Sequence, residues 1–371
     1  MTRIITLLLS LCITTSVWAA GDVTAAIDRI FSQVYTDNDA PGAAVLILQG
    51  NDTIYARCFG VADMQTREPI TFDTNFCLAS ISKQFAAVAL LQLQEAGKLS
   101  LDDPIGKLLP QIQSPQVAAI PLRYLLCHSS GIPDARDRSD RDFRLYSNDF
   151  NSPTYIDTLS WLSFTPGTQY EYINPTFQLA FQIINRRTGT YYDNYIQQHL
   201  FDPAGMRHAY YFEPEKTMPN TAHGYKPDGN GGWSECDYGE ENFFATKADG
   251  ALYCSINDFV RWERALAADG VVWSAASREQ AYTPHITIPA DAEYGYQPNT
   301  GYGYGFFMQR RCASADNTTN CPTVVYHLGD NGGFTNYAGK VPEKDLIFLF
   351  FSTRPDIDRM AIVNSVLDLL L

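Results

Sequence analysis

A helix that must be buried is the feature that most constrains how this chain can fold. The run Gln84–Leu93 is apolar nearly all round and rich in helix formers, which predicts a helix surrounded by protein rather than one on the surface. Gly97 follows it as a candidate C-terminal cap. With 371 residues, the chain is long enough for one large domain, or two closely packed ones, with a sizeable core around such a helix.

A short polar motif, Ser80-Ile81-Ser82-Lys83, stands at the start of this run. We expect Ser80 at the helix N-terminus with Lys83 one turn on, so that the amine can approach the hydroxyl. The helix end also provides free N–H groups and a partial positive charge where an oxyanion would form. Together these features are the minimum that an activated serine nucleophile requires. A serine three residues before a lysine occurs about once by chance in such a chain, so the assignment needs further motifs.

Strands are predicted near both ends of the chain. Asp22–Tyr35 has apolar residues at helical spacing, and a two-strand hairpin follows it. Sheet-like alternation returns at Tyr302–Met308, and the chain closes with a helix at Asp356–Leu371. The predicted strands are Ala43–Gln49, Thr53–Val61, Asn75–Ala79, Thr323–Leu328, Thr335–Val341 and Leu346–Ser352.

The middle of the chain has a helical character, and polar loops separate its apolar stretches. The segment Asp134–Asn151 is predicted to be a surface loop over the site. Together the patterns predict an α/β (α+β) fold, in which an antiparallel sheet flanked by helices receives an inserted all-helical region. We assign residues 21–104 and 250–371 to the α/β domain and residues 105–249 to a mainly helical domain. The candidate helices of the middle region are Tyr155–Leu162, Thr176–Arg187 and Tyr191–Leu200.

Residues 1–20 have the pattern of a secretory signal peptide. Arg3 supplies the positive charge, Ile4–Val17 is a short apolar stretch, and a cleavage site near Ala19 or Ala20 follows. The apolar stretch is short for a membrane span. We therefore expect a secreted or periplasmic protein without a membrane span.

Export makes disulfides possible, and loss of Cys12 with the signal peptide leaves seven of the eight cysteines. An odd number means at least one free thiol or an intermolecular bond. Cys312 and Cys321 flank a short polar loop and are the leading candidate pair. Cys236 with Cys254 is a further possible pair, and so is Cys58 with Cys77.

The formal net charge of −14 argues against nucleic acid or an anionic membrane as a partner, because phosphate contacts need a basic face. The sequence has no C-x-x-C motif, no H-E-x-x-H motif and no histidine cluster, so no metal site is predicted. The expected partner is a small-molecule or peptide substrate, and the oligomeric state does not follow from the sequence.

Tyr172 and Asn174 lie two residues apart in a turn-rich segment, where both side chains can point into one cleft. A nearby cation would lower the pKa of the Tyr172 phenol from about 10 and make it a proton shuttle. The two-sided amide of Asn174 could hold both Lys83 and a substrate carbonyl. Taken alone, a tyrosine in such a place is more often a packing residue.

A third cluster, His327-Leu328-Gly329-Asp330, ends a predicted strand. Gly329 would let a substrate backbone approach closely. The backbone N–H of Asp330 would be the second oxyanion donor, beside that of Ser80. A lone histidine on a strand is usually structural, so His327 gains weight only from the other motifs.

The three motifs occur in the order Ser80-x-x-Lys83, Tyr172-x-Asn174 and His327-x-Gly329. This arrangement resembles the serine β-lactamase and penicillin-binding-protein superfamily. Within it, the Tyr-x-Asn motif is similar to that of the branch containing class C β-lactamases, DD-peptidases and esterases. The resemblance extends from Pro41 into the last hairpin and covers nearly the whole mature chain.

The resemblance implies an α/β domain beside an all-helical domain, with the active site in the cleft between them. It implies that Ser80 is the nucleophile and that Lys83 and Tyr172 are the pair that removes and returns its proton. It also implies an acyl-enzyme that water hydrolyses, without a cofactor. The expected substrate-binding residues are Asn174, His327, Gly329 and, through its backbone, Asp330.

One motif departs from the class C β-lactamase pattern, which has Lys-Thr-Gly where this chain has His327-Leu328-Gly329. The lysine and threonine are associated with recognising the substrate carboxylate, whereas His327 would be a weaker, titratable cation and Leu328 has no hydroxyl. The leading hypothesis is therefore an exported serine hydrolase of esters or of D-configured amides or peptides. The alternatives are a penicillin-binding DD-peptidase or weak β-lactamase, and a non-catalytic binding protein on the same fold.

Overall fold

The structure is a computed structural model, and it describes residues 20–133, 149–150, 154, 156–157, 159–213, 218–236, 246–290, 298–312 and 321–371. All of the predicted signal peptide except Ala20, and most of the predicted loop Asp134–Asn151, lie outside these residues. None of the helices in the described ranges combines the length and the apolar character that a bilayer crossing requires.

An eight-stranded antiparallel sheet forms the centre of the fold, and it draws strands from both ends of the chain. Its strands are β1 (Ala43–Gln49), β2 (Asp52–Phe59), β8 (Ile286–Thr287), β9 (Thr300–Tyr302), β10 (Phe307–Arg310), β11 (Thr323–Asn331), β12 (Phe334–Val341) and β13 (Leu346–Ser352). They lie in the order β2-β1-β13-β12-β11-β10-β9-β8. Two small sheets stand beside it, formed by β3 (Phe76–Cys77), β7 (Leu252–Cys254) and β4 (Tyr210–Tyr211), and by β5 (Tyr225–Pro227) and β6 (Trp233–Glu235).

Eleven α-helices surround these sheets in the described ranges. They are α1 (Ala20–Val34), α2 (Lys83–Glu95), α3 (Ile105–Leu108), α4 (Pro115–Ala118), α5 (Arg123–Leu126), α6 (Pro175–Thr188), α7 (Tyr192–Ile196), α8 (Asp202–Ala204), α9 (Ile256–Ala267), α10 (Ala275–Ala281) and α11 (Arg359–Leu370). A π-helical turn at Gln197–Phe201 joins α7 to α8.

Helices cover both faces of the central sheet. Phe350 and Phe351 are neighbours on β13, and successive strand residues point to opposite faces. The Phe350 ring lies 5.1 Å from that of Phe31 on α1, whereas the Phe351 ring lies 5.6 Å from that of Phe259 on α9. The buried strand β13 is therefore sandwiched between two helical layers, which explains why its sequence is apolar without alternation.

Helix α2 is buried as its sequence predicts, with ten of its 13 residues out of contact with solvent. It ends where Gly97 adopts φ +66°, a conformation that glycine enters without steric cost. The N–H of Lys98 donates to the Leu93 carbonyl and that of Gly97 to the Gln94 carbonyl, each at 2.9 Å. This pattern is a Schellman cap, so the predicted helix end is confirmed.

The predicted fold class is confirmed, and most predicted elements are present with small shifts at their ends. Tyr302–Met308 is different, because it is not one strand. Gly303 donates its N–H to the Phe306 carbonyl at 2.9 Å and Gly305 has φ +79°, so the chain reverses between β9 and β10. Glycines at both positions permit this tight loop.

Two of the three helices predicted for the middle region are present, and the third is not helical over its second half. Thr176–Arg187 corresponds to α6, and Tyr191–Leu200 to α7 with the following π-helical turn. In the predicted helix Tyr155–Leu162, residues 159–162 are not helical, and Tyr155 and Thr158 lie outside the described residues. Residues 105–249 contain α3 to α8 but also the short strands β4, β5 and β6. The domain boundaries stay a prediction.

The predicted disulfide Cys312–Cys321 is present, whereas both alternative pairs are wrong. The remaining cysteines of the described chain form no disulfide. Cys58 lies on β2 at the edge of the central sheet while Cys77 lies on β3 of a small sheet, and Cys236 follows β6 while Cys254 lies on β7. Each alternative pair is thus divided between separate sheets.

Candidate active site

Ser80 lies in a 3₁₀ turn, Ala79–Ser82, that joins β3 to α2. The sequence predicted Ser80 at the N-terminus of the helix, with Lys83 one turn on, but α2 begins only at Lys83. Ala79 has φ +47°, a left-handed conformation that residues other than glycine rarely adopt, so the backbone turns sharply just before Ser80. The hydroxyl of Ser82 accepts a hydrogen bond from the Leu252 N–H at 3.2 Å, which ties the turn to β7.

The Lys83 side chain is fully buried, and its amine donates two hydrogen bonds at the site. Nζ donates to the Ser80 Oγ at 2.9 Å and to the backbone carbonyl of Asp249 at 2.9 Å. A buried amine needs such partners, because leaving a buried polar group unpaired would be costly. The carbonyl therefore fixes the amine in position, and the amine faces the hydroxyl that it is predicted to deprotonate.

Tyr172 approaches the same amine from a different part of the chain. The Lys83 Nζ lies 5.0 Å from the centre of the Tyr172 ring and 5.7 Å from that of Phe177. Tyr172 is half-buried in the irregular segment before α6. The structure thus brings together Ser80, Lys83 and Tyr172, the three side chains that the sequence predicts to act together.

His128 holds the segment that carries Tyr172. Its carbonyl accepts a hydrogen bond from the Glu171 N–H at 2.9 Å, and its ring Nδ1 accepts one from the Ile173 N–H at 3.1 Å. The His128 and Tyr172 rings lie 4.1 Å apart between centres. Burial, and then the charge of Lys83, hold the pKa of His128 well below its usual range, so the imidazole is neutral.

Asn174 precedes α6 as its N-cap residue, with Pro175 in the first turn. Its Oδ1 is buried and accepts no hydrogen bond from any described residue. The expected contact between this oxygen and Lys83 is therefore not formed. The amide oxygen is thus a buried acceptor without a donor, and the substrate-binding role of Asn174 stays a prediction.

His327 is buried on β11, and both of its ring nitrogens already have protein partners. Nδ1 lies 2.7 Å from the Leu328 carbonyl, which can only accept, so Nδ1 carries the hydrogen. Nε2 then accepts from the Tyr302 hydroxyl at 2.8 Å. Burial, followed by the charge of Lys83, lowers the pKa of His327 to about 3. The expectation of a titratable cation at this position is wrong, because the ring is neutral near pH 7.

Gly329 is required by the packing of the protein itself, and its expected role in admitting a substrate backbone stays a prediction. A Cβ atom there would lie 2.1 Å from the Leu78 carbonyl oxygen, so only glycine lets β11 approach the backbone that leads into Ser80. Strand β10 pairs with β11 as far as Tyr326, and the edge beyond it faces the Ser80 turn. The side chain of Asp330 is held by Arg359 at 2.8 and 2.9 Å. The oxyanion role of the Asp330 N–H stays a prediction.

Three contributors to the site were missed from the sequence. His128 lies in the segment Leu125–Pro133, which was noted only for its resemblance, and Tyr302 lies in a tyrosine-rich stretch that ordinary packing explains as well. Asp249 contributes a backbone carbonyl, a group that every residue has and that no motif reveals. In the part of the chain that the structure describes, no group of three or more His, Cys, Asp or Glu residues is placed to hold a metal ion.

Comparison with known proteins places this site in context. The D-aminopeptidase of Gluconobacter oxydans (strain 621H) is 29% identical over 273 residues, covering 73% of this chain and 49% of that protein. A penicillin-binding protein of Bacillus subtilis (strain 168) is 28% identical over 311 residues, covering 79% of this chain and 63% of that protein. The chain thus spans about half of the first relative's length and under two thirds of the second's.

The fold is shared with a solved structure, that of the octameric penicillin-binding protein homologue from Pyrococcus abyssi. The TM-score is 0.77 at 26% sequence identity, and the match covers 95% of this chain and 77% of that one. The family model described as Beta-lactamase matches residues 27–370, which is nearly the whole chain. The chain therefore belongs to the beta-lactamase family.

Proposed function

We propose that this member of the beta-lactamase family is an exported serine hydrolase that forms an acyl-enzyme on Ser80. Its substrates are esters or D-configured amides or peptides. The observation that carries the proposal is the 2.9 Å hydrogen bond between the Lys83 Nζ and the Ser80 Oγ, with the Tyr172 ring beside the same amine. A hydroxyl, an amine and a phenol grouped in this way are the components of an activated nucleophile.

In the proposed reaction, the Ser80 Oγ attacks the substrate carbonyl carbon and its proton passes to the pair formed by Lys83 and Tyr172. One member of the pair must be deprotonated beforehand, either as neutral amine or as phenolate. The tetrahedral intermediate collapses when the bond to the leaving group breaks, and the pair returns the proton to that group. Water then attacks the acyl-enzyme, gives its proton to the pair, and releases the acid while Ser80 regains its hydrogen.

The negative oxygen of each tetrahedral intermediate would be stabilised by backbone N–H groups. In this proposal the donors are the N–H of Ser80 and that of Asp330 on the edge of β11. The close approach of Gly329 to the Leu78 carbonyl supports it, because that contact holds the two backbone segments next to each other. Losing one such donor typically costs about 10²–10³-fold in rate.

The substrate class follows from the chemistry at the third motif. His327 is neutral and fully hydrogen-bonded, and Leu328 is apolar, so this part of β11 offers no charge to a substrate carboxylate. An ester or amide without a free carboxylate on its leaving group fits such a surface better than a peptide ending in D-alanine. The similarity to a D-aminopeptidase supports the D-configured amide or peptide as one form of that substrate.

Export is part of the same proposal. The signal-peptide pattern of residues 1–20 supports it, and so does the Cys312–Cys321 disulfide, since disulfides persist in oxidising compartments. Expression of the full chain in a bacterial host, followed by N-terminal sequencing of the protein recovered outside the cytoplasm, tests this directly. A protein retained in the cytoplasm with Met1 intact would contradict it.

A fluorophosphonate probe tests the nucleophile, because it reacts covalently with activated serines. We expect labelling of the folded protein at Ser80, identified by peptide mass spectrometry, and no labelling of Ser80→Ala. The variant should also lose turnover while its thermal midpoint stays within a few degrees, since the side chain is small and half-exposed. A folded wild-type protein that does not label would remove the proposal.

A panel of p-nitrophenyl esters, D-aminoacyl anilides and their L-enantiomers would then define the substrate. A second candidate function, penicillin binding or slow β-lactam hydrolysis, is favoured by the similarity to the Bacillus subtilis penicillin-binding protein. Labelled penicillin and a chromogenic cephalosporin belong in the same panel. Stable acylation by penicillin with negligible ester turnover would favour the second candidate over the first.

A further inference from the structure

We propose that His128 is a positioning residue for the Tyr172 phenol, and that it acts by accepting a backbone hydrogen bond next to Tyr172. The inference rests on the proposed function, because it assigns His128 a part in presenting Tyr172 to Lys83. It goes beyond that function in naming the group that holds one member of the proton-transfer pair in place.

The two hydrogen bonds to His128 bracket Tyr172 in the chain. The Glu171 N–H donates to the His128 carbonyl at 2.9 Å, and the Ile173 N–H donates to its Nδ1 at 3.1 Å. The residues immediately before and after Tyr172 are thus fixed by one residue. Outside regular secondary structure, backbone N–H groups need such partners when they are buried, so this pair determines the path of the segment.

The His128 ring also supports the Tyr172 ring directly. The two ring centres are 4.1 Å apart with an interplanar angle of 31°. The ring centres of Tyr302 and Phe177 also lie close to that of the imidazole, at 4.9 and 5.3 Å. The imidazole therefore fills the space behind Tyr172, and the phenol has little freedom to move away from Lys83.

The hydrogen bond to Nδ1 determines which nitrogen of the His128 imidazole carries the hydrogen. Because Nδ1 accepts a hydrogen bond, it carries no hydrogen, and the ring hydrogen must be on Nε2. Nε2 is buried and has no hydrogen-bond partner among the described residues. A buried donor without a partner destabilises a fold, so packing alone would be better served by an apolar ring. The imidazole is favoured at this position because its Nδ1 accepts the hydrogen bond from the Ile173 N–H.

The backbone at His128 is adapted to this task. Its φ of +54° lies in the left-handed region, which few residues other than glycine, asparagine and aspartate enter readily. This conformation turns both the carbonyl and the side chain of His128 toward the segment 171–173. Asparagine tolerates the same conformation, and its Oδ1 can take the place of Nδ1.

The matched pair His128→Asn and His128→Leu keeps or removes the acceptor at nearly the same side-chain shape. Because leucine is strained at φ +54° and asparagine is not, His128→Gly is measured beside them: glycine fits this backbone but carries no acceptor, and it should lose kcat as His128→Leu does. We expect His128→Leu to lower kcat for a p-nitrophenyl ester by about 10–10²-fold, because misplacement by about 1 Å can cost about 10²-fold. KM should change less than twofold. His128→Asn should keep kcat within about threefold of the wild type, which is the rescue that a packing role does not predict.

A second readout does not depend on turnover. Amide hydrogen exchange of Ile173, followed by NMR in the folded protein, reports whether its N–H still has an acceptor. Exchange should be faster in His128→Leu and close to the wild-type rate in His128→Asn. If His128→Leu does not fold, His128→Gln takes its place, because its longer chain fills the pocket but carries its amide beyond the position of Nδ1.

Three outcomes would overturn the inference. They are a wild-type kcat in His128→Leu, equal losses of kcat in the Asn and Leu variants, and unchanged Ile173 exchange in both. Failure of the proposed function has a different signature. In that case Ser80 does not label and the wild type has no turnover, while the exchange experiment still decides whether His128 holds the segment around Tyr172.

Discussion

The two reactive groups beside Ser80 are held in place by different means. Lys83 belongs to α2, a helix buried over ten of its 13 residues, so the core of the protein holds it. Tyr172 lies in an irregular segment and is half-buried, and the hydrogen bonds of His128 hold it. The amine is therefore held by a buried helix, whereas the phenol is held by an irregular segment in which His128 accepts two of the backbone hydrogen bonds.

The two buried histidines also differ, in how many of their ring nitrogens have partners within the protein. His327, on the strand side, uses both ring nitrogens within the protein, to Tyr302 and to the Leu328 carbonyl. His128, on the loop side, uses one nitrogen and leaves the other without a partner in the described chain. Burial and the charge of Lys83 lower the pKa of both, so neither supplies a positive charge to the cleft at neutral pH.

Removing the two reactive groups one at a time tests the contrast with the largest expected effect. Lys83→Met and Tyr172→Phe should each lower kcat by about 10²–10⁴-fold, the usual range for a lost general base. Lys83→Met should also lower stability, because the Asp249 carbonyl loses its buried donor. Tyr172→Phe keeps the ring against His128 and should leave the thermal midpoint within a few degrees. Steady-state kinetics and thermal unfolding check both variants.

The double variant, Lys83→Met with Tyr172→Phe, tests whether the amine and the phenol act together. If the amine and the phenol act as one pair, removing both should cost little more than removing either, because their effects are not additive. Independent, multiplying losses would contradict a shared proton path. Wild-type rates in either single variant would overturn the corresponding role.

A substitution at Gly329 tests whether the contact between β11 and the Ser80 turn matters for catalysis. In Gly329→Ala the new Cβ would lie 2.1 Å from the Leu78 carbonyl oxygen, so strand and turn must separate. We expect kcat to fall by about 10–10²-fold and the free energy of unfolding to fall by about 1–3 kcal/mol. Gly250→Ala is the matched control beside Asp249, since a Cβ there meets no atom within 4 Å. Equal behaviour of the two variants would show that the close approach has no part in catalysis.

The difference between the two reactive groups also explains what could be predicted from the sequence. Ser80 and Lys83 are three residues apart at the start of an apolar helix, so local geometry was enough to bring them together. The 92 positions from Ser80 to Tyr172 have no such rule, and only the resemblance joined the two residues. The role of His128 needed its left-handed backbone and the path of the segment 171–173, which no local pattern reveals.

The error at His327 has the same origin. A histidine seen in the sequence has its ordinary pKa, and the lowering depends on burial by residues distant in the chain and on the charge of Lys83. Its partner Tyr302 lies 25 positions away, on β9. The strands themselves were predictable because β13 is a continuous apolar run and β11 and β12 are rich in β-branched and aromatic residues, with short turns between the strands.

His327 gives the smallest expected effect, a change in how stability depends on pH. Its pKa is about 3 in the folded protein against 6.5 ordinarily, so between these values the unfolded chain binds more protons. Stability from this group is therefore complete above about pH 6.5 and is lost as the pH falls. The groups that face the ring are the Tyr302 hydroxyl and the Leu328 carbonyl, and the charges of Lys83 and Arg359 act on it as well.

Urea unfolding of the wild type and of His327→Gln at pH 7 and pH 5 isolates this contribution. Glutamine does not titrate, so the variant should lose about 2 kcal/mol less than the wild type between the two pH values. The same substitution at the exposed His208 is the surface control. The carboxylates titrate in all three proteins, and the comparison between them cancels that background. Identical losses in wild type and His327→Gln would mean that folding does not lower the pKa of His327, so that the ring would become protonated in the folded protein as the pH falls to 5.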